Sequence, residues 1–428
     1  MPEEEPPTGR TEHPMAGSGR RPPWVSGGVA SVGLASLFSD AGHEIATAVL
    51  PSLLTSVLGG SAGVLGVIEG LSDGLLGVAK LVAGPAANDP TRRVRIARGG
   101  YLLTGVFSAA IGVSSAVWQA GVLRGAAWVS RGARGPARDA LLASLAPKDA
   151  YGRSFGVERA GDNLGAVVGP LLAALLVALV GIRHAFLFAL IPGLFAAVAI
   201  SVAAARAPRV VAVAGARGAR GARARLELGK LRRAGLFWPL LPVAAFELGN
   251  LTTTLLILRV SQLLHHGARS LTGAASLAIL LYAGHNVVAA ATSLLGGGLI
   301  DRGGPQRGPR GVLVVGAAAY LMAYVGFAFG IHAWPLLLLL FCLAGAGIGL
   351  AETAESTLVA HLLPDRLRGS GFGLLGGLQS AGDFLSSAVV GILYAAVSPT
   401  AGFAYAAAWM VLSITASALL RIPARQVA

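Results

Sequence analysis

The sequence predicts an all-α membrane protein with 12 transmembrane helices in two pseudo-symmetric six-helix bundles, with the N and C termini cytoplasmic. Three observations predict this fold class. Apolar residues make up 54% of the 428 residues, charged residues only 13%, and the mean hydropathy is +0.68, whereas a soluble domain carries about 25% charged residues. A sequence pattern recurs after half the chain, and lysine and arginine crowd alternate loops.

The apolar segments give the first observation its detail. About twelve of them are long enough to span a bilayer, which takes roughly 20 residues each. We place these spans at 27–57, 62–87, 97–117, 119–146, 154–181, 184–205, 235–263, 271–299, 312–331, 334–363, 370–397 and 401–420. The 60 glycines of the chain suit close contact between helices in lipid.

The recurring pattern relates the two halves of the chain. Segment 147–156 reads Pro-x4-Gly-x2-Phe-Gly, and segment 364–373 repeats it 217 residues later. Asp162 has its counterpart at Asp383, after an offset of 221 residues. A period of half the chain indicates two homologous halves rather than a solenoid. Two like halves in so apolar a protein predict a binding site between them.

Basic residues predict the orientation and the boundaries. They crowd the loops after the second, fourth, eighth and tenth spans, which is the positive-inside pattern and places those loops in the cytoplasm. This pattern accounts for the net charge of +14 without nucleic acid as a partner. The predicted division is a disordered N-terminal tail (1–23), a first bundle (24–206), a basic cytoplasmic linker (207–233), a second bundle (234–421) and a C-terminal tail (422–428).

Charged side chains inside the spans indicate where function lies. Asp40, His43 and Glu44 share one face of the first helix, and Arg124, Arg131 and Arg138 follow each other every seven residues on one face of the fourth. An ionised side chain at the bilayer centre costs about 2.5–3.5 kcal/mol. These groups should therefore face a hydrated cavity or acidic partners. A structural network of salt bridges remains open as the alternative to a role in substrate binding.

Two loop segments resemble a motif of the major facilitator superfamily, which reads G-x-L-A-D-R-x-G-R-R. Segment 297–304 is Gly-Gly-Leu-Ile-Asp-Arg-Gly-Gly and lies close to that motif. Segment 84–93 departs from it, because Asn88 stands where the aspartate belongs and Asp89 follows.

Two helical motifs extend the resemblance to about residues 25–420. Arg124 with Pro136 is similar to the superfamily's fourth-helix motif. The fifth span is similar to its antiporter motif, G-x8-G-x3-G-P-x2-G-G, with Ala173 and Ala174 in place of the final pair. The antiporter-like residues are Gly156, Gly165, Gly169 and Pro170. The chain is thereby identified as a bacterial, drug/proton-antiporter-like member of this family of secondary transporters.

The resemblance implies roles for the charged residues, since the first, fourth, seventh and tenth helices line the central cavity in this family. The proton-coupling candidates are Asp40, His43 and Glu44. The substrate-cavity candidates are Arg124, Arg131, Glu247, Asn250, Thr254, Glu352 and Glu355. The cytoplasmic-gate candidates are Asp89, Arg92, Arg93, Arg138, Asp139, Asp162, Asp301, Arg302 and Asp383.

The predicted function is proton-coupled export of a small organic solute by alternating access, performed by a monomer in the plasma membrane. Proton-coupled uptake of an anionic small molecule is the alternative, because a row of arginines favours a negative ligand. A receptor or a channel fits less well, since the sequence has no extra soluble module and its halves are duplicated and charged. The sequence shows no nucleotide-binding motif, metal-ligand spacing or nucleophile elbow, so we expect no enzyme, cofactor or metal.

Overall fold

The computed structural model describes residues 25–207, 225–265 and 270–419, and these residues form helices joined by short connections. The predicted tails 1–23 and 422–428 lie outside the described residues. So do residues 208–224 of the predicted linker.

The first half of the chain forms six helices. They are α1 Gly27–Ser52, α2 Ala62–Ala86, α3 Pro90–Ala110, α4 Val117–Leu145, α5 Tyr151–Phe188 and α6 Leu190–Ala205. A π-helical turn, Leu53–Val57, extends α1, and 3-10 turns follow α3 at Ile111–Val113 and precede α5 at Lys148–Ala150. The side chains of Ser26, Ser61 and Asp89 cap α1, α2 and α3 by accepting hydrogen bonds from backbone amides.

The second half begins with a short helix in the last part of the predicted linker. Its helices are α7 Leu228–Arg233, α8 Phe237–Gly249, α9 Thr253–His265, α10 Leu271–Ala328, α11 Trp334–Leu362, α12 Asp365–Ala396 and α13 Pro399–Leu419. α8 and α9 together occupy the predicted seventh span, and α10 contains the predicted eighth and ninth spans.

Two glycines with positive φ divide the longest helices. Gly181 lies within α5 at φ 80°, and Gly304 lies within α10 at φ 73°. A Cβ atom at Gly303 would lie 2.7 Å from the Cα of Gly308, so the chain folds back on itself at Gly304. Residues with a Cβ atom rarely adopt this backbone conformation, which favours glycine at both turns.

Six stretches of the described residues are apolar and long enough to cross a membrane by length and composition. They are Pro90–Val113, Lys148–Ala205, Phe237–His265, Gly273–Ala328, Trp334–Leu362 and Pro399–Leu419. Two of them are 58 and 56 residues long and contain the turns at Gly181 and Gly304. α1, α2, α4 and α12 add helices of 26, 25, 29 and 32 residues that carry most of the charged groups discussed below. Each predicted span thus has a helical segment, while the number of crossings stays a prediction.

The two halves meet at the end of the molecule where the basic loops lie, which we call the basic end; the opposite end is the distal end. A Cβ atom at Gly84 of α2 would lie 2.8 Å from the carbonyl oxygen of Gly369 on α12. On the other side of the interface, a Cβ at Gly156 of α5 would clash with the carbonyl oxygen of Ser293 on α10. These glycines let backbones of opposite halves touch, so the described structure is closed at its basic end.

The repeat of 217 residues is a geometric symmetry of this interface. Tyr151 and Arg368 are related by that offset, and the Arg368 guanidinium donates a hydrogen bond of 2.5 Å to the Tyr151 hydroxyl. Phe155 and Phe372 are related in the same way, and their ring centroids lie 5.7 Å apart. Equivalent residues of the two halves therefore face each other, so the pseudo-two-fold axis passes between them.

Candidate functional site

A cavity of about 940 Å³ lies between the two halves. Residues of α1, α2 and α5 line it from the first half, and residues of α9, α10, α11 and α12 line it from the second. Its charged lining residues are Asp40, Asp73, Lys80, Asp162, Glu352 and Asp383. A concave space with a few convergent polar groups is the usual form of a small-molecule site.

The wall of the cavity includes a break in the helical backbone. α8 ends at Gly249 and α9 begins at Thr253, and residues 250–253 line the cavity. The freed amides find side-chain partners: Leu251 N donates to the Tyr324 hydroxyl at 3.1 Å, and Thr252 N donates to Ser387 Oγ at 3.2 Å. Non-helical backbone at membrane depth is tolerated where it is buried in protein or lines a cavity. Such breaks mark binding sites in secondary transporters.

The predicted proton-coupling residues form one cluster with the fourth helix. Arg131 Nη2 lies 3.1 Å from both carboxylate oxygens of Asp40, and its Nη1 lies 2.8 Å from Nδ1 of His43. Arg134 Nη2 lies 3.8 Å from Asp40. Glu44 is less buried and lies 3.6 Å from Nε2 of His43. The structure therefore brings Asp40, His43 and Glu44 together around Arg131.

Arg124 belongs to a neighbouring cluster nearer the distal end, joined to the first through Trp128, whose ring centroid lies 4.9 Å from that of His43. Its guanidinium is buried, forms an ion pair of 2.9 Å with Glu69 and donates to Thr47 Oγ1 at 3.1 Å. It also lies over the ring of Trp128, 3.3 Å from the centroid. The Trp128 indole in turn donates to Asp73 at 2.8 Å. Glu69 and Asp73 of α2, rather than the carboxylates of α1, are thus the acidic partners at this position.

Arg138 and Asp139 lie within the first half. Arg138 Nε donates to Asp139 at 2.8 Å, and Arg138 Nη1 lies 2.6 Å from Glu158 and 3.8 Å from Asp162. Arg138, Asp139 and Glu158 are buried, and Ser36 also donates to Glu158 at 2.7 Å. These contacts join α1, α4 and α5 and do not cross to the second half.

The antiporter-like glycines set the distance between α5 and α1. A Cβ atom at Gly165 would lie 2.6 Å from the carbonyl oxygen of Leu37 and 2.8 Å from the Cβ of Asp40. A Cβ at Gly169 would lie 2.8 Å from the carbonyl oxygen of Ala41 and would clash with the Cβ of Glu44. Pro170 follows within α5. The two glycines therefore pack against the part of α1 that carries the candidate carboxylates.

A polar cluster of the second half lies beside the helix break. Asn250 Nδ2 donates to Glu247 at 3.2 Å and to Asp383 at 2.9 Å. Glu355 is buried behind the cavity wall and accepts a hydrogen bond of 2.8 Å from Gln379. Thr254 lies at the start of α9, where its backbone amide donates to Thr252 Oγ1 at 3.2 Å. Of the predicted cavity residues, Asn250 and Glu352 line the large cavity and Arg131 lines a smaller one beside it, whereas Arg124, Glu247, Thr254 and Glu355 line neither.

The two loop motifs make equivalent contacts across the basic end. Asn88 Oδ1 accepts from Ser370 N at 3.0 Å, and its Nδ2 donates to Ser370 Oγ at 2.7 Å. Asp301 accepts from Gly152 N at 2.7 Å and from Arg153 N at 3.1 Å. Because Ser370 is the counterpart of Arg153 in the repeat, both motifs hold the same backbone amide of the opposite half.

The other gate candidates differ in what they contact. Arg93 is fully buried and pairs with Asp365 of the second half at 3.0 Å. Asp89 caps α3 and lies 3.7 Å from Arg92, so it stays within its own half. Burial acts to raise the pKa of the Asp89 carboxyl, but hydrogen bonds from Thr91 and Arg92 lower it below its usual value. Arg302 is exposed at the basic end.

Three residues that sequence reasoning did not place at the interface lie there. Asn88 has just been described. Lys80 of α2 reaches across to Ser380 of α12, and Arg159 of α5 reaches across to Ser356 at 3.3 Å and Glu352 at 3.7 Å. For Lys80 and Arg159 the available signal in the sequence was a basic side chain inside an apolar span, which lipid excludes unless the side chain has a partner.

The ion pairs found between the halves, within the described residues, share one polarity. They are Arg93–Asp365, Arg153–Asp301 and Arg159–Glu352. In each pair the first half supplies the cation and the second half supplies the acid.

The sequence matches the profile of the Major Facilitator Superfamily over residues 32–333 and 268–427. An uncharacterized MFS-type transporter of Methanocaldococcus jannaschii is 26% identical over 392 residues, which cover 91% of this chain and 94% of that protein. An uncharacterized protein of Mycobacterium tuberculosis is 36% identical over 153 residues, which cover 36% of this chain and 37% of that protein.

Solved structures share the fold at low sequence identity. The human organic anion transporter MFSD10 superposes with a TM-score of 0.65 at 17% identity, covering 91% of this chain and 98% of that one. The proton:xylose symporter XylE gives 0.67 at 15% identity, covering 90% and 94%. A bacterial homologue of the iron transporter ferroportin in an outward-facing state gives 0.65 at 18% identity, covering 91% and 98%.

The profile matches both halves of the chain, the relative from Methanocaldococcus jannaschii matches nearly its whole length, and the solved structures share its fold. This chain belongs to the major facilitator superfamily: it is a multi-pass membrane protein and a secondary transporter of small solutes, not an enzyme.

Proposed function

We propose that this transporter exports a small organic solute from the cytoplasm in exchange for protons, as a monomer in the plasma membrane. By the positive-inside rule, the basic end faces the cytoplasm. The described arrangement, closed at the basic end with a cavity between the halves, is then the state that accepts protons from outside. Rocking of the halves about this site would expose it to the cytoplasm.

The observation that carries the proposal is the placement of Asp40. It lies at the cavity wall, yet it is buried and its carboxylate pairs with Arg131. A proton on Asp40 would remove the charge that holds Arg131, and His43 and Glu44 lie beside that guanidinium. Protonation of Asp40 would act directly on the packing of α1 against α5, because α5 packs through Gly165 against the same turn of α1.

The charges of the cavity favour a cationic or neutral polar solute. Five carboxylates and one lysine line the large cavity in the described residues: Asp40, Asp73, Asp162, Glu352, Asp383 and Lys80. A site lined by one sign of charge raises the local concentration of the opposite sign. Asp40, Asp162 and Glu352 pair with arginines, but the two other carboxylates, Asp73 and Asp383, still outnumber Lys80 in the lining.

One observation favours the alternative, proton-coupled uptake of an anionic solute. A smaller cavity of about 210 Å³ shares Lys80 and Asp162 with the large one and has four arginines in its lining. These are Arg131, Arg134, Arg138 and Arg159. Three of them already pair with carboxylates at 3.7 Å or less: Arg131 with Asp40, Arg138 with Asp139 and Glu158, and Arg159 with Glu158 and Glu352. We therefore favour export.

Dye transport tests the proposal. Inside-out vesicles with an acidic lumen would be supplied with ethidium as a cationic probe and carboxyfluorescein as an anionic one. Export by proton exchange predicts accumulation of ethidium that collapses when the pH gradient is dissipated. Asp40→Asn and Glu44→Gln should abolish the dependence on the gradient, whereas Glu227→Gln, an exposed carboxylate of the linker, should not. Gradient-driven accumulation of native size in both variants would reject these carboxylates as proton carriers. Gradient-driven loss of carboxyfluorescein preloaded in the lumen, without accumulation of ethidium, would favour the alternative.

A further inference from the structure

Lys80 is a cation placed between the two halves at the floor of the cavity. Its ammonium donates to Ser380 Oγ on α12 at 3.1 Å, and it lines both cavities. Its stem lies over Gly376, where a Cβ atom would come within 2.8 Å of Lys80 Cδ. The lysine can hold this position only while α2 and α12 stay in contact.

Asp383 is an acid that lines the large cavity together with Lys80. It lies one helical turn beyond Ser380 on the same face of α12, and the two charges interact across the interface. Lys80 also interacts with Glu247, Arg131 and Arg159.

The remaining groups around Asp383 make Lys80 decisive for its charge. Glu352 of α11, Asp73 of α2 and Glu247 of α8 interact with Asp383 as like charges. Asn250 donates a hydrogen bond to it at 2.9 Å, and the hydroxyls of Tyr320 and Tyr324 on α10 also lie within electrostatic range. Lys80 is the cation among these groups. Without that cation, the surrounding like charges would disfavour the ionised carboxylate of Asp383 and favour binding of a proton.

We propose that Asp383 is a second proton-binding site, at which Lys80 and a proton exchange. While the basic end is closed, Lys80 balances the ionised carboxylate. When α2 and α12 separate, Lys80 withdraws as an intact ammonium ion, and a hydronium ion in the cavity gives up a proton to Asp383 and becomes water as the carboxyl O–H bond forms. Conversely, a proton that reaches Asp383 from the cavity releases Lys80 and loosens the closed interface.

The exchange has the direction that an exporter needs, and in this respect it rests on the proposed function. A proton enters from the distal side while the cavity is open there. It leaves at the basic end once that end has opened, and the return of Lys80 reseals the interface over an ionised Asp383. Asp40 and Asp383 would thus bind protons in different halves.

Distances across the basic end test the exchange without knowledge of the solute. Spin labels at Lys148→Cys and Gln306→Cys, two exposed positions of opposite halves, would be introduced with Cys342→Ala. Double electron–electron resonance on the full chain in nanodiscs then gives the ratio of long to short distances between the two labels. In the otherwise native chain, moving from mildly alkaline to mildly acidic buffer should raise this ratio about tenfold, the effect of about 1.4 kcal/mol.

The variants separate charge exchange from simple packing. Asp383→Asn and Lys80→Gln should each lose most of the response to acid, and Lys80→Arg should keep it. Ser380→Ala removes the hydrogen bond of Lys80 but leaves both charges, so it should also keep the response. A response of native size in Asp383→Asn would overturn the proposal, as would a Ser380→Ala variant that loses the response as fully as Lys80→Gln.

Failure here and failure of the proposed function are distinguishable. The distance ratio reports Asp383 and Lys80 without any solute, whereas the vesicle assay reports the pH gradient and Asp40. If the distances lose their acid response only in the Asp40→Asn variant, Asp383 is not a proton site although proton coupling stands.

Discussion

The two loop motifs should contribute unequally to closure of the basic end, although the repeat makes them equivalent. Asn88→Ala removes two hydrogen bonds between neutral groups, those with Ser370 N and Ser370 Oγ. Each such bond contributes about 1 kcal/mol. The ratio of closed to open molecules should therefore fall by the equivalent of about 2 kcal/mol, or roughly thirtyfold.

Asp301→Ala should have the larger effect. The Asp301 carboxylate is 6% exposed and accepts from Gly152 N, Arg153 N and Arg153 Nε at 2.7–3.1 Å. Hydrogen bonds to charged groups contribute about 1.5–3 kcal/mol each. Because the Arg153 side chain is one-third exposed, its share is reduced by solvent. We expect about 4 kcal/mol in total, close to a thousandfold change in the ratio.

The spin-label pair at residues 148 and 306 measures both effects on one scale. Separation of the halves breaks both contacts together, so the double variant should shift the ratio by the sum of the two free energies. Equal shifts for the two single variants, or a larger shift for Asn88→Ala, would refute the assignment of energy to these hydrogen bonds.

Two more predictions concern helix packing and the distal cluster. Gly165→Ala should destabilise the first half by about 1–3 kcal/mol through overpacking against α1, whereas Gly66→Ala, with open space at its Cβ, should not. Thermal unfolding measures both variants, and the melting temperature should fall by about 2–4 °C per kcal/mol for a unit of this size. Equal melting temperatures for the two variants would contradict the packing argument. Arg124→Met should destabilise the protein more than Arg124→Met combined with Glu69→Gln, because the single variant leaves Glu69 unpaired. A double-mutant cycle by the same method should give a coupling free energy of about 1 kcal/mol, reduced by the partial exposure of Glu69. Additive effects would exclude an energetic role for this ion pair.

The repeat and the apolar segments of the sequence predicted those features of the fold that depend only on the order of residues along the chain. The repeat at 217 residues predicted two homologous halves, and Tyr151 faces Arg368 across the axis that this repeat implies. The apolar segments predicted helices, because a backbone in lipid must satisfy its own hydrogen bonds. The break between Gly249 and Thr253 was not predicted, since it depends on Tyr324 and Ser387, which lie far away in the sequence.

The partners of the buried charges could be predicted only as a class. The spacing of seven placed Arg124, Arg131 and Arg138 on one face of α4, and the cost of a charge in lipid predicted acidic partners. The spacing says nothing of which acids these are: Glu69, Asp40 and Glu158, in that order, come from three different helices. Pairing of this kind is set by how helices pack, which the sequence of one helix does not determine.

The gate shows the same limit in one pair of neighbouring residues. Asp89 carries the charge that a gate would be expected to use, but its position at the start of α3 makes it a helix cap. Asn88, one residue earlier, points across to Ser370. Both residues lie in the turn between α2 and α3, and Asp89 has the extended backbone of a helix cap. The direction of each side chain depends on the geometry of this turn, so composition alone could not distinguish the two.

The shared polarity of Arg93–Asp365, Arg153–Asp301 and Arg159–Glu352 has a consequence for how this chain is assembled. Two copies of the first half would place Arg153 opposite Asn88, and two copies of the second would place Asp301 opposite Ser370, so neither homotypic pair could form this ion pair. Backbone contacts alone, being near-symmetric, would allow such self-pairing. The ion pairs therefore favour association of unlike halves over the homotypic dimers from which a duplicated chain could descend.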